Sequence, residues 1–221
     1  ARELAGEGRT VVQVAMDGRA VALIAIADAP RDTAYAAVEA LERQHIDPVM
    51  LTGDNRQTAE RIAAELGIAK VIAEVLPGDK ADVVKTLQER GNDVAMVGDG
   101  VNDAPALAQA DVGIAIGAGT DVAIETADVV LMRSDPLDVP TAVAIGRGTV
   151  RKMKQNLGWA IGYNSLALPI AAGVFASWGL TLRPEIAAIS MSGSSVLVAV
   201  NALALKRLKL PRRERTHAEA P

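Results

Sequence analysis

The 221-residue chain contains no cysteine, which excludes disulfides and thiolate-bound metal within it. Histidine is nearly as scarce. His45 stands before an apolar run and His217 near the end, with no ligand spacing between them or to a third group, so both read as structural or solvated residues rather than metal ligands. There is no internal repeat, which excludes a solenoid array, no low-complexity tract, and no basic stripe of the kind that binds nucleic acid. No signal-like stretch precedes the polar start at Ala1, and we expect a segment cut from within a longer protein.

Charge is missing where it matters most. From Leu157 to Trp178 there are 22 residues without a charged side chain, and from Ile186 to Leu205 another 20. At about 1.5 Å of rise per residue, each run as a helix is long enough to cross a hydrocarbon layer of roughly 30 Å. The formal net charge of −4 therefore averages an acidic soluble part with a basic end that flanks a membrane. Half of the residues are apolar, ample material for a core.

In chain order, Thr10 to Ala15 and Ala20 to Ala27 are β-rich runs separated by Met16-Asp17-Gly18-Arg19, a hairpin signal. Ala34, Ala37, Val38 and Leu41 then mark one face of a helix. Pro48 to Leu51 reads as a strand ending in Thr52-Gly53-Asp54. A second helical face (Ala59, Ile62, Ala63, Leu66) is closed by Gly67 at C′, and Val71 to Val75 is the next strand. Pro77 opens a helix carrying Val83, Val84 and Leu87, which Gly91 closes. Strands at Val94 to Val97, Val112 to Ile116 and Asp128 to Met132 follow, with helices to Ala110 and over Asp121 to Thr126. Strands alternating with short helices predict an α/β fold with a doubly wound, mostly parallel sheet. A linking helix is expected over 136–156.

The membrane hairpin, 157–205, is expected next. Arg151, Lys152 and Lys154 precede it, and Lys206, Arg207, Lys209, Arg212 and Arg213 follow in the tail, 206–221. Only Arg183 and Glu185 lie in the connecting loop around Thr181 to Arg183. Both ends should therefore be cytoplasmic, which makes the chain a multi-pass membrane protein with a cytoplasmic soluble part. Trp159 and Trp178 sit near opposite ends of the first run, as interface anchors do.

Gly98-Asp-Gly-Val-Asn-Asp-Ala-Pro-Ala-Leu107 carries the strongest chemical signal. A buried strand ending at Gly-Asp-Gly lifts Asp99 off its carboxyl end and places Asp103 one turn later, where open α/β sheets bind ligands. With Asn102 they form a hard oxygen set suited to Mg²⁺ beside a phosphate. An acidic turn before a helix would explain an arbitrary Asp-Gly, but explains this ten-residue string poorly.

Thr52, Gly53 and Asp54 could hold a phosphoryl group, or form an ordinary capped turn. Lys80 lies in a first helical turn, where the macrodipole disfavours a cation; an anion could answer it, as could Asp79 and Asp82. Asp28 ends a strand and could equally be a cap. In order, the hydroxyl, the cation and the acidic pair make a phosphoryl-transfer set.

This pattern resembles the haloacid dehalogenase superfamily. The strings Met50-Leu-Thr-Gly-Asp-Asn, Pro77-Gly-Asp-Lys80 and Gly98 to Leu107 look specifically like the phosphorylation domain of a P-type ATPase, and the likeness continues into the two apolar runs, which look like the heavy-metal, copper-type branch. It implies residues 1–20 as the end of a nucleotide-binding domain and 21–135 as the phosphorylation domain. It also implies ATP and Mg²⁺ as cofactors, with Mg²⁺ on Asp99 and Asp103 supported by Asn102. Thr52 and Gly53, beside Asp54, would contact the phosphoryl group, Lys80 would neutralise it, and Asp28 would sit at the hinge. The family's phosphorylated Asp-Lys-Thr-Gly-Thr motif is absent, so the expected partner is the missing amino-terminal part of the same pump. Asp28 as the nucleophile of a membrane-anchored phosphatase is the alternative, weakened because Pro30 stands where that superfamily has a second Asp; a catalytically inactive pump fragment is the other.

The membrane runs hold a further polar set: Tyr163 and Asn164 in the first, Met191 and Ser195 at i and i+4 in the second, with Asn201 beyond. Thioether suits Cu⁺, and polar groups inside spans mark transport paths, although Gly, Ser and Asn also serve helix packing; chemistry alone leaves these even. The resemblance favours the copper-type site, since zinc-type relatives carry an Asp in the last helix and none is here. It implies a soft ion, Cu⁺, as cargo and membrane lipid as surroundings.

Overall fold

The computed structural model describes residues 10–26, 29–98, 101–117, 125–179 and 183–211. The chain divides into two compact units, Ala1–Pro140 with Pro211–Pro221, and Thr141–Leu210.

In the first unit, β1 (Thr10–Met16) and β2 (Arg19–Ile26) form the expected antiparallel hairpin. Both turn residues have positive φ, Asp17 at 49° and Gly18 at 75°, the geometry that matches the twist of a two-residue hairpin. Helix α1 (Ala34–Glu42) buries Ala37, Val38 and Ala40; of the expected face, Ala37 and Val38 are buried and Ala34 and Leu41 half-buried. Buried Thr33, just before it, donates to Asp135 Oδ1 at 2.6 Å, and the same oxygen accepts from Leu137 N.

Strand β3 (Val49–Leu51) leads to α2 (Arg56–Leu66) and then β4 (Lys70–Ile72). Asn55 Oδ1 accepts from Thr58 N at 2.9 Å at the start of α2, and Gly67 ends it at φ 79°, a left-handed residue that costs glycine nothing. Pro77 opens a single 3₁₀ turn (Pro77–Asp79) rather than the α-helix itself; α3 (Lys80–Glu89) follows directly. Then come β5 (Ala95–Gly98), a 3₁₀ turn (Val101–Asp103), α4 (Ala104–Gln109), β6 (Val112–Ile116) and β7 (Val129–Leu131). Of the helix expected over 121–126, residues 121–124 lie outside the described residues.

The parallel strands are those expected, but not in one hydrogen-bonded sheet. β3 pairs with β4, and β5, β6 and β7 form a separate three-stranded sheet in that order. Among the described residues no ladder joins β3 to β5. Side chains connect them instead: Leu51 at the end of β3 packs on the cluster of Val84, Met96, Ala106 and Leu107. Gly113 lets α4 lie on β6, since a Cβ there would meet the Leu107 carbonyl oxygen at 2.6 Å.

Strand β5 is not the fully buried strand its apolar run suggests. Met96 and Gly98 are buried, whereas Ala95 and Val97 are exposed. Val97 instead lines an apolar cleft of about 330 Å³ with Val38 and Leu41 of α1, Leu66 and Ile116. A continuous apolar run cannot reveal this, because period-2 alternation needs polar residues to show it.

The linking helix and the first apolar run are one element, α5 (Asp138–Ala171). It ends short of Trp178: Pro169 lies in its last turn, and Gly173 follows at φ 76°. Its uncharged part, Leu157 to Ala171, rises only about 22 Å. Helix α6 (Pro184–Leu203) runs into a 3₁₀ turn, Ala204–Arg207. Among the described residues one stretch, Ile189–Arg207, is long and apolar enough to cross a membrane by length and composition, so the expected pair of spanning helices is reduced to one that meets this criterion.

At the amino ends of β5 and β6, the Asp111 carboxylate accepts from Val94 N at 2.8 Å. This bond, joined by one from Gln88, holds the Asp111 carboxyl below its usual range. A native pKa below the unfolded value stabilises the fold above the unfolded pKa, and the contribution disappears as pH falls through the native one. Asp111→Asn should therefore lower the urea midpoint at neutral pH, with the gap to the parent closing on acidification; a gap constant through the acid range would refute the assignment.

Candidate functional site

Thr52 continues the β3–β4 ladder by one residue, its N–H on Ile72 O at 3.0 Å and its carbonyl accepting from Val75 N at 3.2 Å. Its hydroxyl donates to Asp54 Oδ2 at 2.9 Å and accepts from Asp54 N at 3.1 Å. Thr52 and Asp54 thus form a compact turn at the carboxyl end of β3, with Gly53 and Asp54 exposed. Asn55, not Asp54, caps the helix that follows. Gly53 is packed close to the Val75 carbonyl, 3.2 Å from where a Cβ would sit.

Lys80 finds its anion across the unit. Its Nζ donates to Asp103 Oδ1 at 2.6 Å, with the two side chains only 16% and 14% exposed. The counter-charge is therefore Asp103, rather than the neighbouring Asp79 or Asp82 that the sequence left open. Lys80 follows β4 and Asp103 follows β5, so this pair joins the carboxyl ends of the two parallel sheets. A half-buried ion pair of this geometry is a charge-assisted bond, shorter and stronger than a neutral one.

Gly98 makes the pair possible, and sequence reasoning missed its role. The last residue of β5, it is buried, and a Cβ there would come within 2.7 Å of Asp103 Cβ and 2.9 Å of Asp103 Oδ2. Any larger residue would push the carboxylate away from Lys80. The local signal was a glycine ending an apolar run. What it had to accommodate was invisible, because Asp103 folds back over it only through the 3₁₀ turn that it ends.

Asn102 is exposed beside this pair. Asp99 and Asp28, the other two candidates on this rim, lie outside the described residues. Among the described residues no three His, Asp or Glu side chains gather into a metal-binding group. The unit carries a hydroxyl and a glycine N–H on the turn after β3, and a lysine paired with a carboxylate on the turns after β4 and β5. Such groups can bind phosphoryl oxygens, neutralise their charge and offer oxygen ligands to a hard cation.

In the second unit, Tyr163 Oη and Ser190 Oγ are 2.6 Å apart, which brings α5 and α6 together one residue from Met191. Asn164, Met191 and Ser195 are not buried. Ser194 and Ser195 both donate to the Met191 carbonyl, at 2.7 and 3.2 Å, so these hydroxyls bond along their own helix. A second polar contact was not foreseen: Asn201 accepts from Lys152 Nζ at 2.8 Å and donates to Asn156 Oδ1 at 2.8 Å. Lys152 and Asn156 stand one helical turn apart, a spacing legible in sequence, but nothing there names Asn201 as their partner.

The unit is built on parallel strands, with Thr52 after β3 and the Lys80–Asp103 pair after β4 and β5. The chain belongs to the haloacid dehalogenase-like hydrolase family, whose pattern matches residues 1–111. Its curated relatives are narrower in kind. It is 53% identical over 207 residues to the copper-exporting P-type ATPase of Bacillus subtilis, covering 94% of this chain and 25% of that protein. It is 52% identical to human copper-transporting ATPase 2, covering 97% of this chain and 15% of that protein, and 54% identical to copper-exporting P-type ATPase B of Archaeoglobus fulgidus, covering 92% and 29%. The chain thus spans less than a third of the length of each. Among solved structures it is similar to the crystal structure of a zinc-transporting PIB-type ATPase, with a TM-score of 0.77 and 38% identity over 92% of this chain and 32% of that one.

If Lys80 and Asp103 act as a pair, Lys80→Met and Asp103→Asn should not be additive. Urea denaturation of both single variants and the double variant is expected to give a coupling energy of about 1 kcal/mol or more, and additive effects would show the contact to be idle.

Proposed function

We propose that this chain is the carboxyl-terminal portion of an ATP-driven heavy-metal exporter that works through an aspartyl phosphate, with Cu⁺ as its cargo. The observation that carries the reading is the Lys80–Asp103 pair at the meeting of two sets of parallel strands, on a chain that is at least half identical over most of its length to three copper-transporting P-type ATPases. The acceptor aspartate lies on a segment of the pump outside this chain. Strands β3 and β5 each end a sheet, and among the described residues the outer edge of each has no ladder partner. A parallel strand seated between them would present its own carboxyl end beside Thr52, Lys80 and Asp103.

In this reading Thr52 Oγ1 and Gly53 N–H bind the transferred phosphoryl oxygens, with Asp54 holding the Thr52 hydroxyl. Lys80 offsets their charge. The donor set fits Mg²⁺: the Asp103 carboxylate and the exposed amide of Asn102 offer hard oxygens next to a half-buried lysine, and Asp99 adds a second carboxylate. Bound there, Mg²⁺ supplies charge neutralisation for the phosphoryl group of ATP. Asp28 marks the hinge to the nucleotide-binding part, of which residues 1–20 are the end.

Residues 157–178 and 186–205 cross the membrane with both ends cytoplasmic, and the soluble unit is cytoplasmic with them. Support comes from the apolar stretch Ile189–Arg207 and from a likeness to a PIB-type ATPase that covers 92% of this chain. Tyr163, Asn164, Met191 and Ser195 form the exit-side ligand set. The Tyr163–Ser190 contact supports this by joining the two helices beside Met191. A thioether with weak oxygen donors, and no carboxylate between Ile186 and Leu205, favours a soft monovalent ion.

Two measurements test this. The purified chain with Mg²⁺ and a phosphatase substrate should show no turnover above buffer, and measurable hydrolysis would point to a free-standing phosphatase. In the full-length pump, Met191→Ala or Asn164→Ala should lower Cu⁺-stimulated ATP hydrolysis at least several-fold; metal dependence identical to the parent would remove these residues from the transport path.

A further inference from the structure

The two helices of the second unit meet along one stripe, and its contacts share a single register. Tyr163 Oη lies 2.6 Å from Ser190 Oγ, Lys152 Nζ donates to Asn201 Oδ1 at 2.8 Å, and a Cβ on Gly148 would lie 3.2 Å from a Leu205 methyl carbon. From Tyr163 back along α5 it is 11 residues to Lys152 and 15 to Gly148; the partners advance from Ser190 by the same 11 and 15, to Asn201 and Leu205. The helices are therefore antiparallel, without a slip between one contact and the next. Between Ser190 and Asn201, Ser194 and Val198 are also half-buried and every other residue is exposed, the spacing of one packed helix face.

Asn201 makes this register specific. It is the only polar residue among the ten between Ser195 and Lys206. An ammonium only donates, so the Asn201 atom facing Lys152 is its carbonyl oxygen, and Nδ2 is left to donate to Asn156 Oδ1 at 2.8 Å and to Gln155 Oε1 at 3.3 Å. One side chain thus serves a cation and two amide oxygens on α5. A slip of one residue would move the facing side chain by about 1.5 Å and turn it by about 100°, out of reach. A slip of one turn keeps the stripe but sets Val198 or Leu205 against Lys152, which strands the ammonium and the Asn156 amide. A lone polar residue among apolar neighbours fixes helix register in this way.

We propose that Asn201 is a positioning residue: by bonding Lys152 and Asn156 it sets the register of α6 against α5, and so holds Met191 of α6 at the level of Tyr163 and Asn164 of α5. The second half rests on the reading of Tyr163, Asn164, Met191 and Ser195 as the ligand set of the cargo ion. At that level the two helices share one neutral bond, Tyr163 to Ser190. The Lys152 bond is charge-assisted and so the stronger of the two. It lies 11 residues along α6 from Ser190, about 16 Å of helix rise, and a continuous helix carries a height fixed there through to Met191. Asn201 acts through the helix and not on the ion. Donors from two helices converge on one ion only when their heights match to within a fraction of a turn.

The chain has no cysteine, so in detergent micelles it can carry spin labels only where thiols are introduced. Two label pairs read the register, Met153→Cys with Ile189→Cys and Leu166→Cys with Val200→Cys, all at exposed positions. Because the helices are antiparallel, a slide of α6 along α5 shortens one of these distances and lengthens the other. Asn201→Leu and Lys152→Met should each give such an opposed pair of shifts, up to one helical turn of about 5.4 Å. Asn201→Asp, whose carboxylate still accepts from Lys152, should keep the parent distances. Unchanged distances in Asn201→Leu, or two distances that lengthen together, would overturn the register role. In the full-length pump, Asn201→Leu should lower Cu⁺-stimulated ATP hydrolysis several-fold, and Asn201→Asp should behave as the parent. If Met191→Ala lowers that hydrolysis and Asn201→Leu does not, the positioning role is refuted while the ligand set stands. If neither lowers it, the ligand set itself has failed, and the paired distances still decide whether Asn201 sets the register.

Discussion

The bond between Lys80 and Asp103 is the interaction on which the first unit's candidate chemistry depends. It spans two sheets that no backbone ladder connects among the described residues, with Lys80 Nζ 2.6 Å from Asp103 Oδ1. An ion pair as shielded as this one stays strong because little water screens it, yet each partner is costly to leave without the other. The pair therefore requires both helices to start where they do. It also requires Gly98, because a side chain at the end of β5 would occupy the volume of the Asp103 carboxylate.

The pair also explains why a lysine tolerates the first turn of α3. The helix dipole opposes a cation there, and Asp79 and Asp82 are near in sequence. The half-buried carboxylate of Asp103 is the better partner. A phosphoryl group with Mg²⁺ would enter a site where the compensating charges are already neutral as a pair, so binding exchanges one set of ionic contacts for another rather than stranding a bare charge. In the helical unit the same logic operates with amides: Asn201 satisfies Lys152 and Asn156 at once.

Much of the architecture was legible from local pattern. The Asp17-Gly18 hairpin, the buried face of α1, the Gly67 stop and the order of the parallel strands follow from turn chemistry and periodicity, which act over a few residues. The motif strings put Thr52, Lys80, Asn102 and Asp103 in one site, and of these the structure joins Lys80 directly to Asp103. Less legible were features that depend on distant residues. The exposure of Val97 depends on a cleft lined by α1 and Ile116. The end of α5 at Ala171, by contrast, is local, with Pro169 in its last turn and Gly173 following at positive φ. The division of the parallel strands depends on pairings that strands three residues long cannot announce.

By itself the sequence determined the class of fold, the chemical inventory and its order: a hydroxyl, a lysine, a carboxylate pair, and apolar helices with no cysteine. These are properties of residue type and spacing, and they survive without coordinates. Only the tertiary structure decided which charges meet. Asp103 rather than Asp79 or Asp82 answers Lys80, Gly98 makes room for it, and Asn201 of α6 meets Lys152 and Asn156 of α5. The reason is that ionic partners and open faces are set by distance across the fold, and residues 23 apart in sequence can lie 2.6 Å apart in space while near neighbours point elsewhere.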